Sequence, residues 1–103
     1  MTTRASDARV FARNPKVEEA PLSGELMLFD PGSSRFFVLN QTMAFIWRRC
    51  DGRHTVATML SQLSEEFRDV ERTTAESDLH QALVEMVSLG LAVEQPSEEP
   101  AKA

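Results

Sequence analysis

One cysteine, four glycines and two histidines are all that the 103 residues offer to chemistries that depend on those side chains. Cys50, standing alone, cannot form an internal disulfide, so no covalent framework is available to hold the fold. The glycines fall singly at 24, 32, 52 and 90, which excludes the clustered pattern of a phosphate-cradling loop. No apolar run approaches the roughly 18 residues a membrane span needs. The opening stretch Met1-Thr2-Thr3-Arg4-Ala5-Ser6-Asp7 lacks the apolar segment of a secretory signal. A free thiol, no span and no signal together predict a cytoplasmic protein. His54 and His80 belong to no set of residues with metal-ligand spacing, so no metal and no cofactor are expected.

Catalysis has little to stand on. Cys50 lies on the apolar stripe of a helix, where a buried inert thiol is expected rather than a nucleophile. The pairs Glu65-Glu66 and Glu98-Glu99 read most simply as solvated charge. A non-enzyme is the expectation.

What is present is an ordinary apolar fraction of 42%, enough for one folded domain of this length. The net charge of −5 is uneven. Residues 1–16 carry four cations and one carboxylate, residues 17–93 carry six arginines and twelve carboxylates, and the last ten residues are acidic again. The expected organisation is a flexible basic tail over 1–16, a domain over 17–94 and a disordered tail over 95–103.

Within the domain, Val17-Glu18-Glu19 is a short strand candidate, closed by the turn-like Pro21-Leu22-Ser23-Gly24. Two denser apolar runs follow, Glu25 to Phe29 and Arg35 to Leu39, joined by Asp30-Pro31-Gly32-Ser33-Ser34, which has turn residues throughout. These predict an antiparallel hairpin. Asn40 is a candidate N-cap for a helix with Met43, Ile46, Trp47 and Cys50 on one stripe, and Asp51-Gly52 is its expected stop. Thr55 caps a second helix with Val56, Met59, Leu60, Leu63 and Phe67 inward. A third runs from about Thr74 to Leu89, with Gly90 as its stop. The fold class is α+β: a winged-helix-like domain in which a three-stranded antiparallel meander is followed by three helices.

Two features exceed what that fold requires. Both strands of the hairpin are apolar on both faces: Leu26 and Leu28 against Met27 and Phe29, Phe37 and Leu39 against Phe36 and Val38. A sheet covered on one face only should alternate. The outer face is therefore expected to be covered by the tail around Val10-Phe11, by a second copy in a homodimer, or by a partner enzyme. The second feature is the run Arg35-Phe36-Phe37-Val38-Leu39, which has no proline and one charge. As an outer strand it would leave a row of backbone groups able to pair with an extended peptide.

The run Arg35 to Trp47, then Cys50-Asp51-Gly52-Arg53-His54-Thr55-Val56, resembles the PqqD family, the coenzyme PQQ synthesis protein D-like domains. The likeness continues through Leu60, Leu63, Phe67, Asp78-Leu79, Leu83, Met86 and Gly90-Leu91, and spans about residues 17–94. The resemblance implies a recognition element for ribosomally made precursor peptides. Such a protein holds the leader between the hairpin's second strand and the third helix and works beside a modifying enzyme, often a radical SAM enzyme. The strand the resemblance implies for the peptide is Arg35, Phe36, Phe37, Val38 and Leu39. On the third helix, helical spacing groups Asp78, Gln81, Ala82 and Glu85 on one rim, where they could meet polar or basic leader residues, and leaves open which rim faces the strand. Ser33-Ser34 stands where members dedicated to pyrroloquinoline quinone tend to carry a Pro-Glu pair, so the role is carried over and the product is not.

Two other readings compete. A winged helix can bind DNA, but the third helix displays Glu76, Asp78, Gln81 and Glu85 where a groove-reading helix needs cations and amides, so no nucleic acid is expected. A dimerising adaptor without peptide cargo would fit the two-faced sheet equally well.

Overall fold

Asn40 ends a strand and begins a helix with a single side chain, whose Oδ1 accepts the Met43 N–H at 2.9 Å. Thr55 does the same for the next helix, its hydroxyl accepting the Thr58 N–H at 3.1 Å. The computed structural model describes residues 7–95. In it the elements run β1 (Val10–Arg13), β2 (Glu18–Leu22), β3 (Glu25–Asp30), β4 (Arg35–Leu39), α1 (Gln41–Arg48), β5 (Asp51–Thr55), α2 (Val56–Glu66), α3 (Arg72–Ser88) and β6 (Ala92–Gln95). The α+β class, the meander and the three helices are as expected.

The meander has the order β2-β3-β4. Its first turn is tighter than predicted: Leu22 pairs with Glu25, so Ser23-Gly24 alone makes the bend and Pro21 lies inside β2. Proline is tolerated there because β2 is an outer strand and needs no N–H on its free side. The β3–β4 loop is held by Asp30, whose backbone oxygen accepts the Ser34 N–H at 2.7 Å while its carboxylate takes the Gly32 N–H and the Ser33 hydroxyl.

A second sheet, β5-β1-β6, was not expected, and it corrects the domain boundaries. The described part of the supposed basic tail contributes β1, the middle strand, paired with β6 from Val10↔Gln95 to Arg13↔Ala92 and with β5 on its other side. Phe11 is buried at 4% exposure. The folded unit therefore includes β1 and reaches Gln95 rather than spanning 17–94. Residues 1–6 and 96–103 of the two predicted tails lie outside the described residues.

Gly52 is also reassigned. Helix α1 ends at Arg48, with the Arg49 N–H closing back on the Ile46 carbonyl at 3.0 Å. Gly52 (φ +78) sits instead in β5, where the register slips between Val10↔Thr55 and Ala12↔Asp51. A Cβ there would stand 2.9 Å from the Gln95 Oε1, the movable end of a flexible side chain, so it is the left-handed conformation that calls for glycine at the bulge. Gly90 (φ +78) does end α3 as predicted: its own N–H bonds the Val87 carbonyl and the Leu91 N–H bonds that of Met86, the paired closure of a Schellman motif.

The core lies between the inner face of the meander and the helices. Leu26, Leu28 and Leu39 belong to one buried cluster with Ile46 and Trp47 of α1, Met59 and Leu63 of α2, and Leu79, Leu83 and Met86 of α3. Each such side chain stabilises the fold by about 1.5–3 kcal/mol. Trp47 keeps its polar end satisfied, Nε1 donating to the Glu19 carboxylate at 2.9 Å.

Candidate functional site

Strand β4 is the last strand of its sheet. It pairs with β3 from Asp30↔Arg35 to Leu26↔Leu39, and no described strand lies on its other side. The register tells which backbone groups are free. Antiparallel partners alternate between exchanging both hydrogen bonds and exchanging none. A non-bonded Asp30–Arg35 pair would require an N–H from Pro31, which has none, so this pair is a bonded one. Arg35, Phe37 and Leu39 therefore face β3 with their backbone groups, and Phe36 and Val38 aim theirs away from the sheet. The same parity follows from the other hairpin: counted from Leu22↔Glu25 across the Ser23-Gly24 turn, Glu25, Met27 and Phe29 bond to β2, which leaves Leu26, Leu28 and Asp30 for β4.

The side chains divide the same way. Phe37 and Leu39 point inward, Phe37 half-buried beneath the Arg35 guanidinium at 5.4 Å from its ring centroid. Phe36 and Val38 lie on the outer face, 63% and 55% exposed, and Phe36 packs on Phe29 with ring centroids 4.6 Å apart. The expectation that the Val10-Phe11 segment covers this face is corrected: Phe11 belongs to the core and β1 to the other sheet, and no described segment covers Phe36 and Val38 on the outer face of the meander.

Past the end of β4 a groove of ≈ 280 Å³ opens between the start of α1 and one flank of α3. Asp78, Gln81, Ala82 and Glu85, the four helix residues singled out from sequence, all line it. They stand one to two turns apart, which puts them on one face of α3. Across from them are Asn40, Thr42, Met43 and Ile46, which the sequence reading did not include. The signal for them was present: Asn40 caps α1, and a capping residue at a strand–helix junction brings the first helical turn to the strand's end. Buried Ile46 and Ala82 belong to the apolar floor; Asp78, Gln81 and Glu85 are exposed on the rim. The groove thus combines an apolar base, two carboxylates and no cation among its lining residues. The rim of α3 that faces the strand's end, undecidable from periodicity, is the Asp78–Glu85 one.

The opposite flank of α3 borders a different, more apolar groove of ≈ 520 Å³, formed with Phe11, Leu83, Val84 and Val87. Neither Cys50 nor either histidine lines the first groove. Cys50 is fully buried, its thiol pushed up to about 12 by burial and bonded to the Ile46 carbonyl at 3.4 Å. His54 is held by Asp51 at 2.9 Å, and His80 lies 3.8 Å from Asp7. Among the described residues no group of three or more His, Cys, Asp or Glu could hold a metal, and no helix is long and apolar enough to cross a membrane.

An open strand end beside a helix-walled groove is the setting in which the comparisons fall. The profile of the PqqD family, coenzyme PQQ synthesis protein D, matches residues 25–92. This chain belongs to the PqqD family. The match runs from the start of β3 to the start of β6, so it contains both the edge and the groove. Two solved structures resemble the chain. One is a lasso peptide synthetase B1 complexed with the leader peptide, 30% identical, with a TM-score of 0.71 over 81% of this chain and 96% of that one. The other is TbiB1 in complex with the TbiA(β) leader peptide, 21% identical, with a TM-score of 0.70 over 79% of this chain and 93% of that one, which bears on the fold alone. No curated protein matches the chain.

Proposed function

We propose that this PqqD-family protein is a non-catalytic recognition element that binds the leader of a ribosomally made precursor peptide and presents it to a separate modifying enzyme. The observation that carries this reading is the unpaired β4 edge, whose free groups are those of Phe36 and Val38, in a strand that leads directly into Asn40, itself a lining residue of the groove with Asp78, Gln81, Ala82 and Glu85. A leader strand added antiparallel or parallel to β4 would gain about 0.5–1.5 kcal/mol per net backbone hydrogen bond. Ordering it costs about 2–5 kcal/mol, so apolar anchors in the groove have to supply the surplus. The lasso peptide synthetase B1 neighbour, solved with a leader peptide, supports the same role.

In this reading the modifying enzyme works in trans, and the buried Cys50 takes no part in the chemistry. The likeness to a lasso peptide synthetase B1 favours maturation by an enzyme of that kind of pathway over a dedicated role in pyrroloquinoline quinone synthesis. The acidic outer face of α3 speaks against DNA. The test is calorimetric titration with the leader of a short peptide encoded beside this protein. Stoichiometric, salt-tolerant binding is expected. No binding to the leader, together with salt-dependent binding to duplex DNA, would overturn the reading.

A further inference from the structure

The charge and spacing of the groove walls go further than the role itself. Resting on the leader-binding reading above, we infer that the guest strand this protein selects carries an apolar anchor with a lysine or arginine two positions away on the same face.

The floor of the groove is apolar at Met43, Ile46 and Ala82, and it takes the anchor. Asp78 and Glu85 flank Ala82 along α3, four residues before it and three after. At a rise of about 1.5 Å per residue they stand about 6 Å and 4.5 Å from it along the helix axis. Same-face neighbours on a β-strand are about 6.6 Å apart. A strand running along the groove therefore brings the residues two before and two after its anchor close to the two carboxylates. No arginine or lysine lines the groove to neutralise them. The cation on the inner side of β4 is Arg35, at the strand's far end and stacked over Phe37. An acidic residue two positions from the anchor would meet uncompensated like charge, which makes the walls selective as well as attractive. Because Asp78 and Glu85 are exposed, each ion pair contributes modestly, about two- to five-fold in affinity, and weakens as salt rises.

The experiment is selection of a random 12-residue peptide library displayed on phage against the full chain, repeated with Asp78→Asn/Glu85→Gln and with Val38→Pro. Both carboxylates are solvent-exposed, and circular dichroism of the variant checks that it folds. Expected are peptides with one apolar position and enriched Lys or Arg at plus or minus two, with that enrichment lost in the carboxylate variant. Replacing the basic residue of a selected synthetic peptide by norleucine should weaken binding about two- to five-fold to the native chain and leave the variant's affinity unchanged. Binders that require the Val38 edge but show no basic enrichment would overturn this inference alone. Binders indifferent to Val38→Pro, or none at all, would overturn the leader-binding reading and the inference with it.

Discussion

Replacing Val38 with proline separates strand addition from any other way of using this surface. The Val38 N–H points away from β3 by the register of the hairpin, so proline removes no bond within the sheet. The side chain is 55% exposed on the outer face, so little packing is lost. Against a guest strand the change is severe. One backbone hydrogen bond goes, about 0.5–1.5 kcal/mol, and the guest carbonyl that would have accepted it is left facing a methylene, about 1–3 kcal/mol more. A combined loss of about 2–4 kcal/mol corresponds to a Kd raised roughly 30- to 1000-fold. Val38→Ala, which keeps the N–H, should bind within a few-fold of the native chain. Fluorescence polarisation with a labelled leader or display-selected peptide reads both, and thermal melts confirm that the variants stay folded. Phe36→Pro should act in the same way. Unchanged affinity in both proline variants, with both folded, refutes strand addition along β4.

Other consequences follow from the fold. Phe11→Ala should destabilise the protein by about 3–5 kcal/mol in chemical denaturation, because Phe11 is core and not tail; a loss under 1 kcal/mol would contradict the placement of β1. Gly52→Ala should cost at least about 1 kcal/mol through its left-handed backbone, even if the Gln95 side chain moves aside. Burial works to raise the Asp51 carboxyl, but hydrogen bonds from the His54 and Arg53 backbone N–H groups and from the His54 ring outweigh it and lower it to about 2. A depressed carboxyl stabilises the fold above its unfolded pKa and ceases to as pH falls through the folded one. The melting temperature of Asp51→Ala should thus lie below the native value at pH 6 and converge with it between pH 4 and 2. Cys50 should resist alkylation at pH 8 in the folded chain and react readily in denaturant, since burial both shields the thiol and holds it near 12.

The parts legible in the sequence are those governed by neighbours along the chain. Asn40 and Thr55 announce their helices because a cap is a three-residue interaction. The β3–β4 hairpin shows in the turn residues 30–34 between two apolar runs, and helical spacing groups Asp78, Ala82 and Glu85 on one rim of α3 without telling which rim meets the strand's end. The second sheet was hidden because its pairing is nonlocal. Strand β1 has four residues, two of them sizeable apolar ones in a basic segment, and its partners β5 and β6 stand some forty and eighty residues away. Gly52 misled for a related reason. A glycine after a helix usually closes it, and only the pairing of β5 with β1 reveals that here it opens a bulge. The opposite wall of the groove, Asn40 to Ile46, depends on how α1 leans on α3, which no spacing within α1 encodes.

Amide hydrogen exchange at four consecutive positions tests the central claim most directly. In the free protein the Phe37 and Leu39 amides, bonded to β3, should be protected, and those of Phe36 and Val38 should exchange quickly. Addition of a bound leader should slow Phe36 and Val38 by at least tenfold while changing the other two little. Slow exchange at Phe36 and Val38 before any peptide is added, or fast exchange at both when the peptide is saturating, would contradict it.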